Sequence, residues 1–164
     1  MDTDIIIKEL QKYSETVCTL YPGINDDEIK GLEQKIRYEL PKEFKNFISN
    51  INGFKLLSDI LYGIHENNKS IDLFSNYIWE REYSNNQIWS YLLPIVPDGR
   101  GNHYCLDLKT IDSKKLKCNV VFWQHDYEYT LEDLPDIESS SFNEFIWEML
   151  NEIGESINYD GTDK

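Results

Sequence analysis

The stretch Leu40-Pro41-Lys42-Glu43-Phe44-Lys45-Asn46-Phe47-Ile48-Ser49-Asn50-Ile51-Asn52-Gly53 restricts the fold more than any other part of the chain. It reads as one complete helix with both ends marked. Pro41 suits the first helical position, where its missing N–H has no intrahelical partner to lose. Phe44, Phe47, Ile48 and Ile51 recur at helical spacing and share one face. Asn52-Gly53 stops the helix, because glycine enters the left-handed region without a side-chain penalty. A helix this apolar on one side must pack on other elements. Nothing in the segment is chemically reactive.

The flanking sequence supplies those elements. An opening helix is expected from about Asp4 to Thr16, with Ile6, Ile7, Leu10, Tyr13 and Val17 available to one face, and Tyr21-Pro22-Gly23 breaks it. Asn25 is an N-cap whose capping box is completed by Glu28, and Asp26 and Asp27 favour the positive end of the helix dipole. Ile29, Leu32, Ile36 and Leu40 give that helix its buried stripe. Beyond Gly53 the pattern changes: Phe54–Leu57 and Ile60–Ile64, split by Ser58-Asp59, read as a hairpin or two short strands. A weaker helical pattern covers Ile71 to about Ile88, with strand or irregular structure the alternative that its aromatic content leaves open. Leu92–Val96 is a strand that Pro94 pushes to an edge or an end, since proline cannot donate to a ladder.

Pro97-Asp98-Gly99-Arg100-Gly101 is a tight turn. In the strand Asn102–Leu108, Tyr104, Leu106 and Leu108 face a core, while His103, Cys105 and Asp107 share the opposite face. Asn119–Trp123 is a further strand, reached through a basic surface loop from Lys109 to Lys117. Ser141, with Glu144 three residues on, caps a final helix carrying Phe142, Phe145, Ile146, Met149, Leu150 and Ile153, which Gly154 ends. Helices, then strands, then a helix describe one α+β domain over residues 1–154 with an antiparallel-rich sheet. Residues 155–164 read as an acidic tail that frays.

Composition narrows the function classes. The 164 residues suit one domain. The formal net charge is −14, and the sequence pI is about 4.5. Phosphate binding needs clustered Lys and Arg, so nucleic acid and anionic membrane surfaces are unfavourable direct partners. The acidity either serves solubility alone or steers a basic protein partner. Cys18, Cys105 and Cys118 form no CxxC pair and are odd in number, which argues against a disulfide framework or a zinc finger. No apolar run approaches the roughly 20 residues that cross a bilayer. The start Met1-Asp2-Thr3-Asp4 does not resemble a signal peptide, so a reducing cytoplasm is the expected compartment.

Candidate chemistry is sparse. His103, Asp107, His125 and Asp126 offer two His and two Asp for a metal or acid–base site, but their spacing matches no metal signature. The competing reading puts the aspartates on turn amides and the histidines on a partly exposed face. Cys105 beside His103 is too far along a strand face for a nucleophile–base pair and reads as a small buried hydrophobe. Gly99-x-Gly101 lacks the rest of any phosphate loop. No catalytic group, metal or cofactor is therefore expected. The aromatic load, with Trp79, Trp89, Trp123, Trp147 and many tyrosines, suits contact surfaces. His125, Asp126, Tyr127, Glu128 and Tyr129, with Asp98 and Asn102 of the turn, are the candidate partner-binding residues. The bland alternative is that Trp123 and Trp147 are core and the tyrosines are ordinary packing.

One ordered set of motifs goes further. Ile29-Lys30-Gly31-Leu32-Glu33 leads into Leu40-Pro41-x-x-Phe44-x-x-Phe47-Ile48 and Asn52-Gly53. Leu61-Tyr62-Gly63-Ile64 and Leu93-Pro94-Ile95 follow. Then come Asp98-Gly99-x-Gly101-Asn102-x-Tyr104-Cys105-Leu106-Asp107, Val120-Val121-Phe122-Trp123-x-His125-Asp126 and Ser141-Phe142-x-x-Phe145. From about Tyr21 to Leu150 the chain resembles the SUKH (Smi/Knr-like) superfamily, which includes bacterial immunity proteins and a fungal regulator of cell-wall synthesis. Asn102 departs from it, standing where an acidic residue is expected. The resemblance implies a non-enzymatic α+β binding domain, in bacteria one that neutralises a polymorphic toxin, often a nuclease, by occlusion. A regulatory scaffold like the fungal branch, or a metal-dependent enzyme using His103, Asp107, His125 and Asp126, are the rival readings.

Overall fold

The computed structural model describes the whole chain, Met1 to Lys164. Asp2 caps helix α1 (Thr3–Leu10), its carboxylate accepting from the Asp4 amide. The helix stops at Leu10, well short of Thr16. The chain turns through Ser14 into strand β1 (Cys18–Pro22), which the sequence pattern had concealed. Asn25 caps α2 (Asp26–Ile36) with the expected capping box: its side chain takes the Asp27 and Glu28 amides, and Glu28 takes the Asn25 amide. Ile29, Leu32 and Ile36 are its buried face.

Helix α3 (Lys42–Asn50) begins one residue later than expected, with Pro41 extended at the N-cap. It also ends without Asn52-Gly53. Ile51 is already extended, and the chain runs directly into strand β2 (Ile51–Leu56). Asn52 explains the switch. Its side-chain oxygen accepts from the Ile64 amide and its nitrogen donates to the Ile64 carbonyl, both at 2.8 Å. A buried side chain thus replaces strand pairing. Gly53 has φ +80°, and a Cβ there would lie 2.5 Å from the Leu61 carbonyl oxygen, so this crossing excludes any side chain.

Strand β2 pairs antiparallel with β1 and with β3 (Asp59–Leu61), giving a three-stranded sheet in the order β1-β2-β3. The long helical pattern after Ile71 shortens to α4 (Leu73–Ile78) and a π-helical turn, Trp79–Tyr83. The chain then builds an antiparallel meander of β4 (Leu92–Pro97), β5 (His103–Asp107), β6 (Val120–Trp123) and β7 (Asp136–Ser139), in that order. Strand β4 is an edge, as Pro94 requires, and the ladder slips beside that proline. The two sheets meet where the Tyr62 amide donates to the Ile95 carbonyl at 2.8 Å.

Helix α5 (Phe142–Ser156) is capped by Ser141, whose hydroxyl accepts from the Glu144 amide, and it passes through Gly154 without stopping. Its first residue locks the core: the Phe142 ring meets Phe44 edge-on at 5.1 Å and Phe47 at 5.3 Å. All three side chains are fully buried, each contributing roughly 1.5–3 kcal/mol through burial alone. The tail expected to fray instead folds back on α1. The Ser14 amide donates to the Tyr159 carbonyl, the Tyr159 hydroxyl donates to Glu9, and the Tyr159 ring packs edge-on against Tyr13 at 5.1 Å. No helix is long and apolar enough to cross a membrane.

Candidate protein-binding site

The four-stranded sheet has two unlike faces because strand residues alternate. Tyr104, Leu106, Val120 and Phe122 pack toward the main core and α5. On the other face, Cys105, Val121 and Trp123 join Ile88 and Leu92 in a small second core. His103 lies on that second face and is 5% exposed, whereas the sequence suggested a partly exposed face. Burial pushes its pKa down to about 4 against a weak opposing pull from Asp98, so it is neutral at pH 7. Its Nδ1 and the Trp123 indole N–H are buried without a partner.

The β4–β5 turn is held by its own side chains. Asp98 accepts from the Arg100 and Asn102 amides at 2.7 and 3.0 Å and from the Asn102 side-chain nitrogen at 2.7 Å. Partial burial opposes charge on Asp98, but these donors outweigh it and hold the carboxyl below its usual range. The Asn102 oxygen in turn accepts from the His125 amide at 3.0 Å and its ring Nδ1 at 2.8 Å. Asn102 must therefore donate on one side and accept on the other. A carboxylate could not donate to Asp98, which accounts for asparagine where the superfamily pattern suggests an acid. Gly101, at φ +98°, lets the His125 ring sit where a Cβ would come within 3.1 Å of Nδ1.

Beyond β6 the aromatic loop divides. Tyr129 lies half-buried against Trp123 at 4.7 Å, and its hydroxyl accepts from the Gln124 amide. Tyr127 is exposed and donates to Asp133. Asp126 and Glu128 are exposed and form no ion pair. Asp98, Asn102 and His125 thus form one connected network, while Tyr127 and Tyr129, in the loop that follows His125, pack with rings tilted at 56° and centroids 4.8 Å apart. The proposed metal or acid–base set does not converge: His103 and Asp107 are at opposite ends of β5, Asp107 caps the turn at Lys109, and no group of three metal-capable side chains forms anywhere. Cys105 is completely buried, which raises its thiol pKa well above the usual value and suits a packing role.

Sequence reasoning missed a larger feature. From Cys118 to Asp163 the chain has twelve Asp and Glu and not one Lys or Arg. The fold gathers much of this charge on β7 and α5. Between them and the β4–β5 turn lies a groove of about 310 Å³, lined by Asp59, Asp98, Glu138, Glu148 and Glu152 around Tyr104. Burial, then Asp136, Glu148 and Glu152, push the Glu138 pKa up. Burial and the surrounding carboxylates also raise that of Tyr104. Apolar side chains stand exposed beside this charge: Leu131 at 84%, Leu134 at 57% and Ile137 at 64%. A larger cavity of about 680 Å³ lies elsewhere, between α2 and the 64–75 segment, with a mixed lining that includes Glu28, Lys35 and His65.

The family model described as SMI1-KNR4 cell-wall matches residues 3–151. The chain belongs to this SUKH family. A curated relative, the SPbeta prophage-derived protein YokK of Bacillus subtilis (strain 168), is 26% identical over 158 residues, covering 80% of this chain and 78% of its own. A crystal structure of a protein from Pseudomonas syringae pv. tomato superposes with a TM-score of 0.54 at 17% identity, covering 74% of this chain and 83% of its own. That likeness speaks for the fold, which is the mixed α+β architecture expected from the sequence.

Proposed function

We propose that this protein is an immunity protein that binds a cognate bacterial toxin domain and occludes its active site. Family membership supports the class, and the prophage origin of its relative supports the setting. The observation that carries the partner chemistry is the one-sided charge: the segment from the 125–135 loop through β7 to α5 contains no Lys or Arg, and its Glu138, Glu148 and Glu152 carboxylates share one groove with Asp59 and Asp98. Such a field speeds capture of a basic protein and opposes access of phosphate-bearing substrates to the covered site. A toxin acting on nucleic acid presents the complementary basic surface.

In this reading Asp98, Asn102, His125, Asp126, Tyr127, Glu128 and Tyr129 form one end of the contact surface. The Asp98–Asn102–His125 network fixes the backbone, and the tyrosines supply contact area with polar tips. Co-expression with a toxin domain encoded beside a gene of this family tests the function. The expected result is a stoichiometric complex and rescued growth. Charge reversal at Asp126 or Glu128 is expected to slow association while leaving the melting temperature in place. Continued toxicity with no complex would reject the function, and unchanged association in those variants would reject that end of the surface.

A further inference from the structure

Strand β7 has a partner on one side only. It pairs with β6, and no other backbone hydrogen bond reaches Asp136–Ser139. The opposite edge of the same sheet is treated differently: β4 carries Pro94 and Pro97, and its Ile95 carbonyl is taken by Tyr62. Natural sheets blunt a free edge with proline or charge. The charges of Asp136 and Glu138 would serve that end, but exposed Leu131, Leu134 and Ile137 beside them would not.

The two sides of β7 also differ. Ile137 is opposite Val121, whose side chain belongs to the second core, so Ile137 extends that apolar face outward. Asp136 is opposite Phe122, on the α5 side, where Glu138 lies in the field of Glu148 and Glu152. A strand laid along this edge would meet carboxylates on one face and Ile137 on the other. Two copies of β7 would instead bring acid against acid, and like charges directly opposite are destabilising.

Resting on the functional reading above for the partner's role, we propose that the partner adds an extended segment to the free edge of β7. That segment alternates Lys or Arg, facing α5, with apolar residues facing Ile137. Main-chain bonds supply affinity in this mode and alternate side chains supply specificity. Cross-strand ion pairs set the register.

The test uses the full chain and a short acetylated peptide of alternating Lys and Val. A peptide of the same composition, with its Lys and Val in separate blocks, serves as control. The alternating peptide is expected to bind saturably and to slow amide exchange at Asp136–Ser139. Ile137→Thr and Glu138→Lys should each weaken it at least about fivefold, the effect of losing one contributing interface side chain. Glu66→Lys, an equal charge change on a remote exposed residue, should leave binding near the parent value. Both β7 changes are at exposed positions, and circular dichroism checks that each variant folds.

Absence of binding, protection elsewhere, equal loss in Glu66→Lys, or a concentration-dependent dimer that covers β7 would each overturn the proposal. The two ideas fail separately. Protection against the toxin with no peptide binding keeps the function and removes the edge. Peptide binding without protection does the reverse.

Discussion

On the α2–α3 side, Asp27, Glu33 and Glu39 each lie within 4.0 Å of a lysine, whereas Asp136, Glu138, Glu148 and Glu152 on the β7–α5 side have none. All six ion pairs of the molecule join residues between Glu9 and Lys115. Glu33 shows what the first region does with charge: one carboxylate oxygen accepts from the Leu40 amide at 2.8 Å and from Lys45 at 3.1 Å, tying α2 to the start of α3. Helix α5 does the opposite. Glu144, Glu148 and Glu152 recur every four residues on a helix with no cation, a spacing that destabilises by about 0.2–0.5 kcal/mol per pair. The first surface satisfies itself, and the second keeps a repulsion that a partner's cations would relieve.

The sharpest way to break this contrast is in the core beneath the first region. Phe44→Ala removes a fully buried ring in edge-on contact with Phe142 and should lower unfolding free energy by about 3–5 kcal/mol in denaturant titration. If binding falls, it should fall only in proportion to the folded fraction.

His103 comes next, because it is a buried residue of strand β5, in the sheet that β7 closes on one side. Its folded pKa is about 4, against an ordinary value of 6.5. The unfolded chain therefore binds the extra proton first, and stability falls as pH drops from about 6.5 toward about 4. The loss is on the order of 3 kcal/mol at the lower limit. His103→Gln should flatten this part of the stability curve relative to the parent. The raised carboxyl pKa values of Asp59 and Glu138 act in the opposite direction, since their protonation favours the fold as pH falls. A parent and a variant with equal slopes would show that His103 is not the titrating group.

Smaller effects sharpen the same comparison. Asn25→Ala removes the acceptor for two amides at the start of α2 and should cost about 1 kcal/mol with no change in partner association. Glu148→Lys should do the reverse. It turns two like-charge spacings into favourable ones, raising stability by up to about 1 kcal/mol, while slowing association with a basic partner. A gain in stability coupled to a loss of binding would mark this face as kept for contact.

How far each region could be read from sequence follows the same divide. The capping box at Asn25, the stripe of α2, the α3 face and the α5 face were legible because apolar spacing and caps are local signals. Strand β7 was not, since Asp136-Ile137-Glu138 puts no side chain into the core. Strand β1 was hidden by Pro22-Gly23 and exists through its pairing with β2. Asn52-Gly53 looked like a helix stop because its real partner, Ile64, is distant in sequence. Within the site, the Asp98 turn and the exposed Tyr127 could be anticipated, while the burial of His103 involves contact with Tyr62, 41 residues away in sequence. The acidic face was present in the order of charges after Cys118, which a total of −14 conceals.

The central claim is that the β7–α5 face serves a partner and not the fold. The most direct measurement is the association rate with the toxin domain that this protein neutralises in co-expression, across ionic strengths, for the parent and for a Glu138→Gln, Glu148→Gln, Glu152→Gln variant. The account predicts a rate that falls steeply with salt in the parent, drops about tenfold or more in the variant at low salt, and is accompanied by an equal or higher melting temperature. An unchanged rate and salt dependence in a variant that has lost stability would contradict it.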